Sequence, residues 1–458
     1  MFTTIAEIVA SHRNGTLRPG QTISHCYERI RTLADPGIFI ALRDETDAIT
    51  EAENLDDSRV RGALFGVPVA VKDNIDVVGM PTTAACPAFA YQPEEDAAVV
   101  AKLRAAGAVV IGKTNLDQFA TGLVGTRTPY PIPRNALRDD LIPGGSSSGS
   151  AVAVATGIVP IALGTDTAGS GRVPAMLNNI VGLKPSLGLV STRGVVPACR
   201  TLDCVSIFAL NVNDAWTTLA ALAGYDPDDP YSRERPLGSL DAMPSGLKIG
   251  VPRADQRQFF GDARASSDYD AALSRLQQIG FAVVEVEMDS FYEAARLLYD
   301  GPWVAERYLA ARRVLEKNAN AMHPVTRQII SAGALPHATD AFAAFYRLEE
   351  LRRAASNVFK RVDALALPTA PTVYTCEDIM TDPIRLNSRL GTYTNFVNLL
   401  DLCGVAVPAA LHADRTPFGI TILAPAPADV LVASIARQFQ AGSDLPLGAI
   451  GIPQFERA

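Results

Sequence analysis

The chain has 458 residues, 48% hydrophobic and 20% charged, the profile of a globular protein with ample core. A net charge of −8 gives no basic footprint for nucleic acid, so an anionic substrate has to be met by locally placed cations. Cys26, Cys86, Cys199, Cys204, Cys376 and Cys403 show no Cys-x-x-Cys and no histidine at zinc spacing, a pattern that argues against a metal site and fits reduced thiols in the cytoplasm.

The amino-terminal stretch MFTTIAEIVASHRNG carries Glu7 and no apolar run of signal-peptide length. Helical periodicity follows near 21–34, and LFGVPVAVKDNIDV (64–77) reads as a strand or strand pair around Pro68. DAAVVAKLRAAG (96–107) is a helix with Gly107 as its stop, and AVVIG (108–112) is a short buried strand. The most apolar window, 151–163, is broken by Gly157 and Pro160 and is too short to cross a bilayer. GYDPDDPYSRERP (224–236) is a surface seam between two halves. Strands are expected at 246–252, 281–288 and 362–371, separated by helical segments at 291–315 and 341–361. Strands alternating with helices argue an α/β architecture around a buried, mainly parallel sheet.

GGSSSGS (144–150) has no side chains for a core. Four readings compete: a flexible linker, a phosphate loop, a nucleophile elbow centred on Ser147, or another serine-based site. GAVVIGKT (107–114) matches the P-loop pattern letter by letter, but Ala-Val-Val-Ile are strand formers where that loop needs a flexible turn, so a nucleotide-dependent enzyme is only a remote alternative. GSGRVP (169–174) lacks the third glycine of a dinucleotide fingerprint. An elbow needs a strand leading into it, and PRNALRDDLIP supplies none. The five histidines, His12, His25, His323, His337 and His412, carry no catalytic signature. A serine site with a different base remains. Lys72 follows an apolar run; if buried, its amine would be driven towards neutrality and become a competent base. LGTDTAGSGRVPA (163–175) is a second Gly/Ser turn, able to point backbone N–H groups into a site.

Lys72 in GVPVAVKDNID, GGSSSGSAVAVATG (144–157) and GTDTAGSGRVPA (164–175), followed by GLKPSLGLVSTRGVVP (182–197) and GVAVPAAL (404–411), resemble the motifs of the amidase signature family. The resemblance implies one α/β domain over 1–458 with a large mixed central sheet sandwiched by helices and a signature core over about 60–210; a separate carboxyl-terminal domain is not expected within these residues. It also implies amide C–N hydrolysis by a Ser-cisSer-Lys triad with no cofactor. Carried over by position, Ser170 is the nucleophile, Ser146 the relay and Lys72 the base, with Thr167, Ala168 and Gly169 N–H groups as the oxyanion hole. Asp166 and Arg172, which flank the turn, are expected to pair structurally.

Within that family, GTDTAGSGRVPA, PFGITILAPAPAD (417–429) and LYDGPWVAERY (298–308) resemble the allophanate hydrolases. That resemblance implies allophanate as the small-molecule substrate, selected by Tyr299 and Arg307 in a helical region over about 290–345. It also implies a homodimer, with a urea carboxylase as candidate partner and neither nucleic acid nor membrane involved. A broader small-amide amidase, or the glutaminase subunit of a tRNA amidotransferase, is the alternative within the class.

Overall fold

β-branched and small residues dominate the strands because the sheet is covered on both faces. In PVAVK, Val69 and Val71 join one apolar cluster with Val99, Leu103, Leu219 and Leu276, while the intervening Ala70 joins another with Ala151, Val152 and Ile23. A strand buried on both sides reads as a continuous apolar run without alternation. The computed structural model describes residues 4–56, 62–240 and 246–450. Residues 1–3, the first positions of the expected core at 60 and 61, and the closing stretch GIPQFERA (451–458) lie outside the described residues.

The strands are β1 (Phe39–Leu42), β2 (Pro68–Lys72), β3 (Val109–Thr114), β4 (Ile161–Asp166), β5 (Val181–Lys184), β6 (Cys204–Ala209), β7 (Lys248–Pro252), β8 (Ala282–Val286), β9 (Ala364–Pro368), β10 (Leu402–Leu411) and β11 (Pro417–Pro425). They form one sheet in the order β1-β3-β2-β4-β6-β5-β10-β11-β9-β7-β8. Helices Pro19–Leu33 and Ser148–Ala155 pack on one face with the small residues Ala70 and Ala162. Helices Ala98–Ala105, Val212–Leu222, Ala263–Ile279 and Asp429–Ala441 contribute to the cluster on the other. Strands on both sides of the 224–236 stretch enter the same sheet.

The α/β layering and the mixed sheet expected for the family are present, but the mainly parallel sheet expected from strand and helix alternation is not. Pairs β3·β2, β2·β4, β7·β8 and β7·β9 are parallel. Pairs β1·β3, β4·β6, β5·β6, β5·β10, β10·β11 and β9·β11 are antiparallel. Burial on two faces erases the alternation that reveals a strand, and β4, β5, β6 and the β10–β11 hairpin, which make most of the antiparallel pairs, are not among the expected strands. The expected single helix at 291–315 is two, Asp289–Asp300 and Val304–Asn318. Gly301 closes the first by donating its N–H to the Leu297 carbonyl, and Pro302 cannot continue it.

Candidate active site

β3, β2 and β4 are adjacent and parallel, so their carboxyl ends open at one edge of the sheet, the place where open α/β sheets hold ligands. Lys72 is the last residue of β2; β3 leads into Asn115–Asp117, and β4 leads into the turn 167–170. The serine-rich stretch is anchored against them. Asp117 N–H donates to the Ser146 carbonyl at 3.0 Å and Gly149 N–H to the Asn115 carbonyl at 3.0 Å. Only glycine fits at 149, where an added Cβ would lie 2.2 Å from the Ile38 carbonyl oxygen.

Lys72 is fully buried, and its Nζ lies 2.7 Å from Ser146 Oγ and 2.9 Å from both Ser147 Oγ and Thr165 Oγ1. Burial pushes its pKa down to about 7, against the upward pull of Asp117, Asp203 and Asp166. The amine is therefore a base available near neutrality. The peptide bond Gly145–Ser146 is cis, as the family resemblance implies. The other serines hold the scaffold: Ser148 Oγ donates to the Asn115 carbonyl at 3.4 Å and Ser150 Oγ to the Leu163 carbonyl at 2.8 Å. This stretch is buried throughout, which removes the linker reading.

Ser170 sits in a turn whose Gly169 has φ +124, with Thr394 Oγ1 2.4 Å from where a Cβ would stand. Its hydroxyl donates to the Gly122 carbonyl at 3.5 Å, and no hydrogen bond joins it to Ser146 among the described residues. Hydroxyl hydrogens rotate freely, and hydrogen bonds of this kind are commonly long before a substrate arrives. Asp166 organises the turn, accepting from Gly169 N–H at 2.9 Å, Gly171 N–H at 3.0 Å and both arms of Arg172. Against the upward push of burial, Arg172 holds the Asp166 carboxyl below its usual range. The pairing of Asp166 with Arg172 is thus structural, as expected. It also commits the Gly169 N–H, which the family resemblance assigns to the oxyanion hole, to a carboxylate. Ala168 is absent from the residues with positive φ, so its methyl demands no strained backbone.

Arg307 projects from helix Val304–Asn318 and is buried at 1% exposure without an ion pair to a carboxylate among the described residues. Its Nη1 donates to Thr121 Oγ1 at 3.0 Å and to the Ala120 carbonyl at 3.3 Å. Its Nη2 donates to Tyr299 Oη at 3.3 Å, and the guanidinium carbon lies 5.2 Å from the Tyr299 ring centre. The helix break at Gly301 does not separate the pair. Tyr299 also lines a cavity of about 250 Å³ with Tyr292, Arg296 and Asn395, which runs from it to the surface.

Sequence reasoning missed Thr165, Asp117, Gly122 and Asp203. Asp117 accepts from the N–H groups of Val124, Gly125 and Arg127, fixing the loop that carries Gly122. Asp203 accepts from Thr167 Oγ1 and from the N–H groups of Ala198 and Cys199, and burial raises its carboxyl to about 6. Only Asp117 carried a signal, as a carboxylate between a buried strand and glycines. Lys113 of the P-loop lookalike lies within β3, one residue before its end, and pairs with Asp73 at 3.1 Å, both buried, so the stretch is strand where a phosphate cradle needs a loop. His12 hydrogen-bonds the Phe65 carbonyl and Thr22, and His412 pairs with Asp268, both structural placements. No helix is long and apolar enough to cross a membrane, and no cluster of metal-binding side chains occurs, among the described residues.

A buried amine hydrogen-bonded to a serine hydroxyl is chemistry that a serine hydrolase can use, with lysine where others use histidine. The amidase family model matches residues 21–432, and the chain belongs to that family and is a C–N hydrolase. Over 379 residues, 82% of this chain and 20% of the relative, it is 46% identical to urea amidolyase of Saccharomyces cerevisiae. The chain thus spans about a fifth of the length of the first curated relatives it matches. A glutamyl-tRNA(Gln) amidotransferase subunit of Chromohalobacter salexigens is 33% identical over 477 residues, covering 96% of each chain. Among solved structures, allophanate hydrolase of Kluyveromyces lactis superposes with a TM-score of 0.92 at 40% identity, covering 99% of this chain and 75% of that one.

Proposed function

We propose that the chain hydrolyses the terminal amide C–N bond of allophanate, releasing ammonia. The observation that carries this reading is Arg307, a buried guanidinium seated on Tyr299 with no carboxylate paired to it among the described residues. A charge buried without a partner is costly, and a small planar carboxylate matches its fork with two parallel hydrogen bonds. Similarity to allophanate hydrolase and urea amidolyase supports the same choice.

Lys72, neutral near pH 7, takes the Ser146 proton while Ser146 takes that of Ser170. The Ser170 oxygen then bonds to the ureido carbonyl carbon, and the oxyanion is held by the N–H groups of Thr167 and Ala168, Gly169 being tied to Asp166. The proton returns through Ser146 to the nitrogen as the C–N bond breaks and ammonia leaves. Water enters by the same relay and frees Ser170. A urea-carboxylating enzyme would supply the substrate.

The experiment is ammonia release by the purified chain, without ATP, from allophanate, malonamide, urea and glutamine. Preference for allophanate supports the reading. Preference for glutamine would replace it with the tRNA amidotransferase alternative, and equal rates on the amides would indicate a broad amidase.

A further inference from the structure

Arg127 is as buried as Arg307, at 2% exposure, and also lacks an ion pair to a carboxylate among the described residues. Two other buried cations have one, Arg172 with Asp166 at 2.9 Å and Lys113 with Asp73 at 3.1 Å, whereas Lys184 is held by the Pro185 and Leu402 carbonyls. Arg127 Nη1 donates to the Thr121 carbonyl at 3.0 Å and Nη2 to the Pro383 carbonyl at 2.7 Å, and its Nε has no partner among the described residues. Thr121 is thus gripped at its carbonyl by Arg127 and at its hydroxyl by Arg307. The backbone between them is contorted, with φ +52 at Phe119, +51 at Ala120 and +156 at Gly122. Two consecutive non-glycine residues in the left-handed region persist only where their surroundings hold them. Next along, Gly122 packs against Asp117 and Arg127, an added Cβ standing 2.6 Å from Asp117 Oδ2 and 3.2 Å from Arg127 Cδ, and its carbonyl accepts from Ser170 Oγ.

From this we infer that Arg127 is a positioning residue that determines specificity: it fixes residues 119–122, and through them sets the place of Arg307 relative to Ser170. The inference rests on the reading of Arg307 as the carboxylate ligand. Arg127 itself acts through Thr121 and Gly122, and its charge adds to that of Arg307 in a space that excludes water, where attraction for an anion is least screened.

The test is a double-mutant cycle with wild type, Arg127→Lys, Arg307→Lys and the double variant. Ammonia release from allophanate and from neutral malonamide is measured with melting temperature as the control for folding. Arg127→Lys keeps a charge but loses the paired carbonyl contacts, so KM for allophanate should rise about tenfold with malonamide KM within about twofold, and the double variant should be no more than about twofold worse than Arg307→Lys alone. If Arg307→Lys itself fails to discriminate the substrates, the carboxylate reading falls, and this inference with it. If Arg307→Lys discriminates but the two losses multiply, or Arg127→Lys affects both substrates equally, the positioning role alone is overturned. Should Arg127→Lys not fold, Arg127→Gln replaces it; failure of both to fold would assign Arg127 to stability and also overturn the inference.

Discussion

Lys72 Nζ stands 2.7 Å from Ser146 Oγ with no water-exposed surface on either residue. Because burial lowers the Lys72 pKa from 10.5 to about 7, kcat/KM should rise with pH through that value as the amine loses its proton. Lys72→Met should remove most of the activity and the rise with it. Stability carries a second signature. Between about 7 and 10.5 the unfolded chain binds a proton the native lysine lacks, so wild type should gain on Lys72→Met across this window by up to about 1.4 kcal/mol per pH unit. Denaturant unfolding at pH 7, 8.5 and 10 reads that difference, and a constant gap would contradict the neutral amine.

Ser170→Ala should reduce kcat by about a thousandfold or more with melting unchanged, since among the described residues its hydroxyl makes one hydrogen bond, at 3.5 Å to the Gly122 carbonyl. Ser146→Ala should cost nearly as much, and the pair together little more, because the proton passes through both. Single-turnover assays of the three variants check this; multiplying losses would separate the serines.

Tyr299→Phe removes the hydroxyl that accepts from Arg307 Nη2 but leaves the ring beneath the guanidinium. It should lower kcat/KM on allophanate by about tenfold, whereas Arg307→Ala should lower it by some tens to several hundred, about 2–4 kcal/mol. Both should spare malonamide. Equal losses on the neutral diamide would remove these residues from substrate selection.

Asp203→Asn should slow turnover, since an amide cannot accept from Thr167 Oγ1, Ala198 N–H and Cys199 N–H together. The raised carboxyl, near 6, means that Asp203 favours the native state most at low pH and loses that contribution as pH climbs from 3.8 through about 6. Asn should abolish that slope in unfolding experiments between pH 4 and 7. Unchanged kcat would show that Thr167 needs no anchoring from this side.

Three linked motifs made the family legible from the chain alone; the expected segments coincide with β2, β3, β7, β8 and β9 and with helices at 19–33, 98–105, 289–300, 304–318 and 338–358, while β1, β4, β5, β6, β10, β11 and the remaining helices were not read. Lys72 was legible because a lysine at the end of PVAVK can be neutral only if buried. Thr165 and Asp203 were not, because their roles come from folding: Thr165 reaches Lys72 across neighbouring strands, and Asp203 meets Thr167 from 36 positions away. β5, β6 and the β10–β11 hairpin went unread as strands, because burial on both faces removes the alternation that marks them. PFGITILAPAPAD, which carried part of the likeness, supplies β11 and makes no hydrogen bond to Lys72, Ser146 or Ser170.

The break at Gly301 and Pro302 gives Arg307 a helix of its own, apart from the strand ends and turns that bear Lys72, Ser146 and Ser170. The bond-breaking equipment and the residue expected to choose the substrate therefore stand on separate pieces of chain, joined through side-chain contacts at 120 and 121. If Arg307 selects the substrate as proposed, exchanging or tilting Val304–Asn318 should alter what is admitted, since that helix contributes no residue to the pairing of β2 with β4. A scaffold divided in this way can acquire new amide preferences by small changes in one helix, while the proton relay stays as it is.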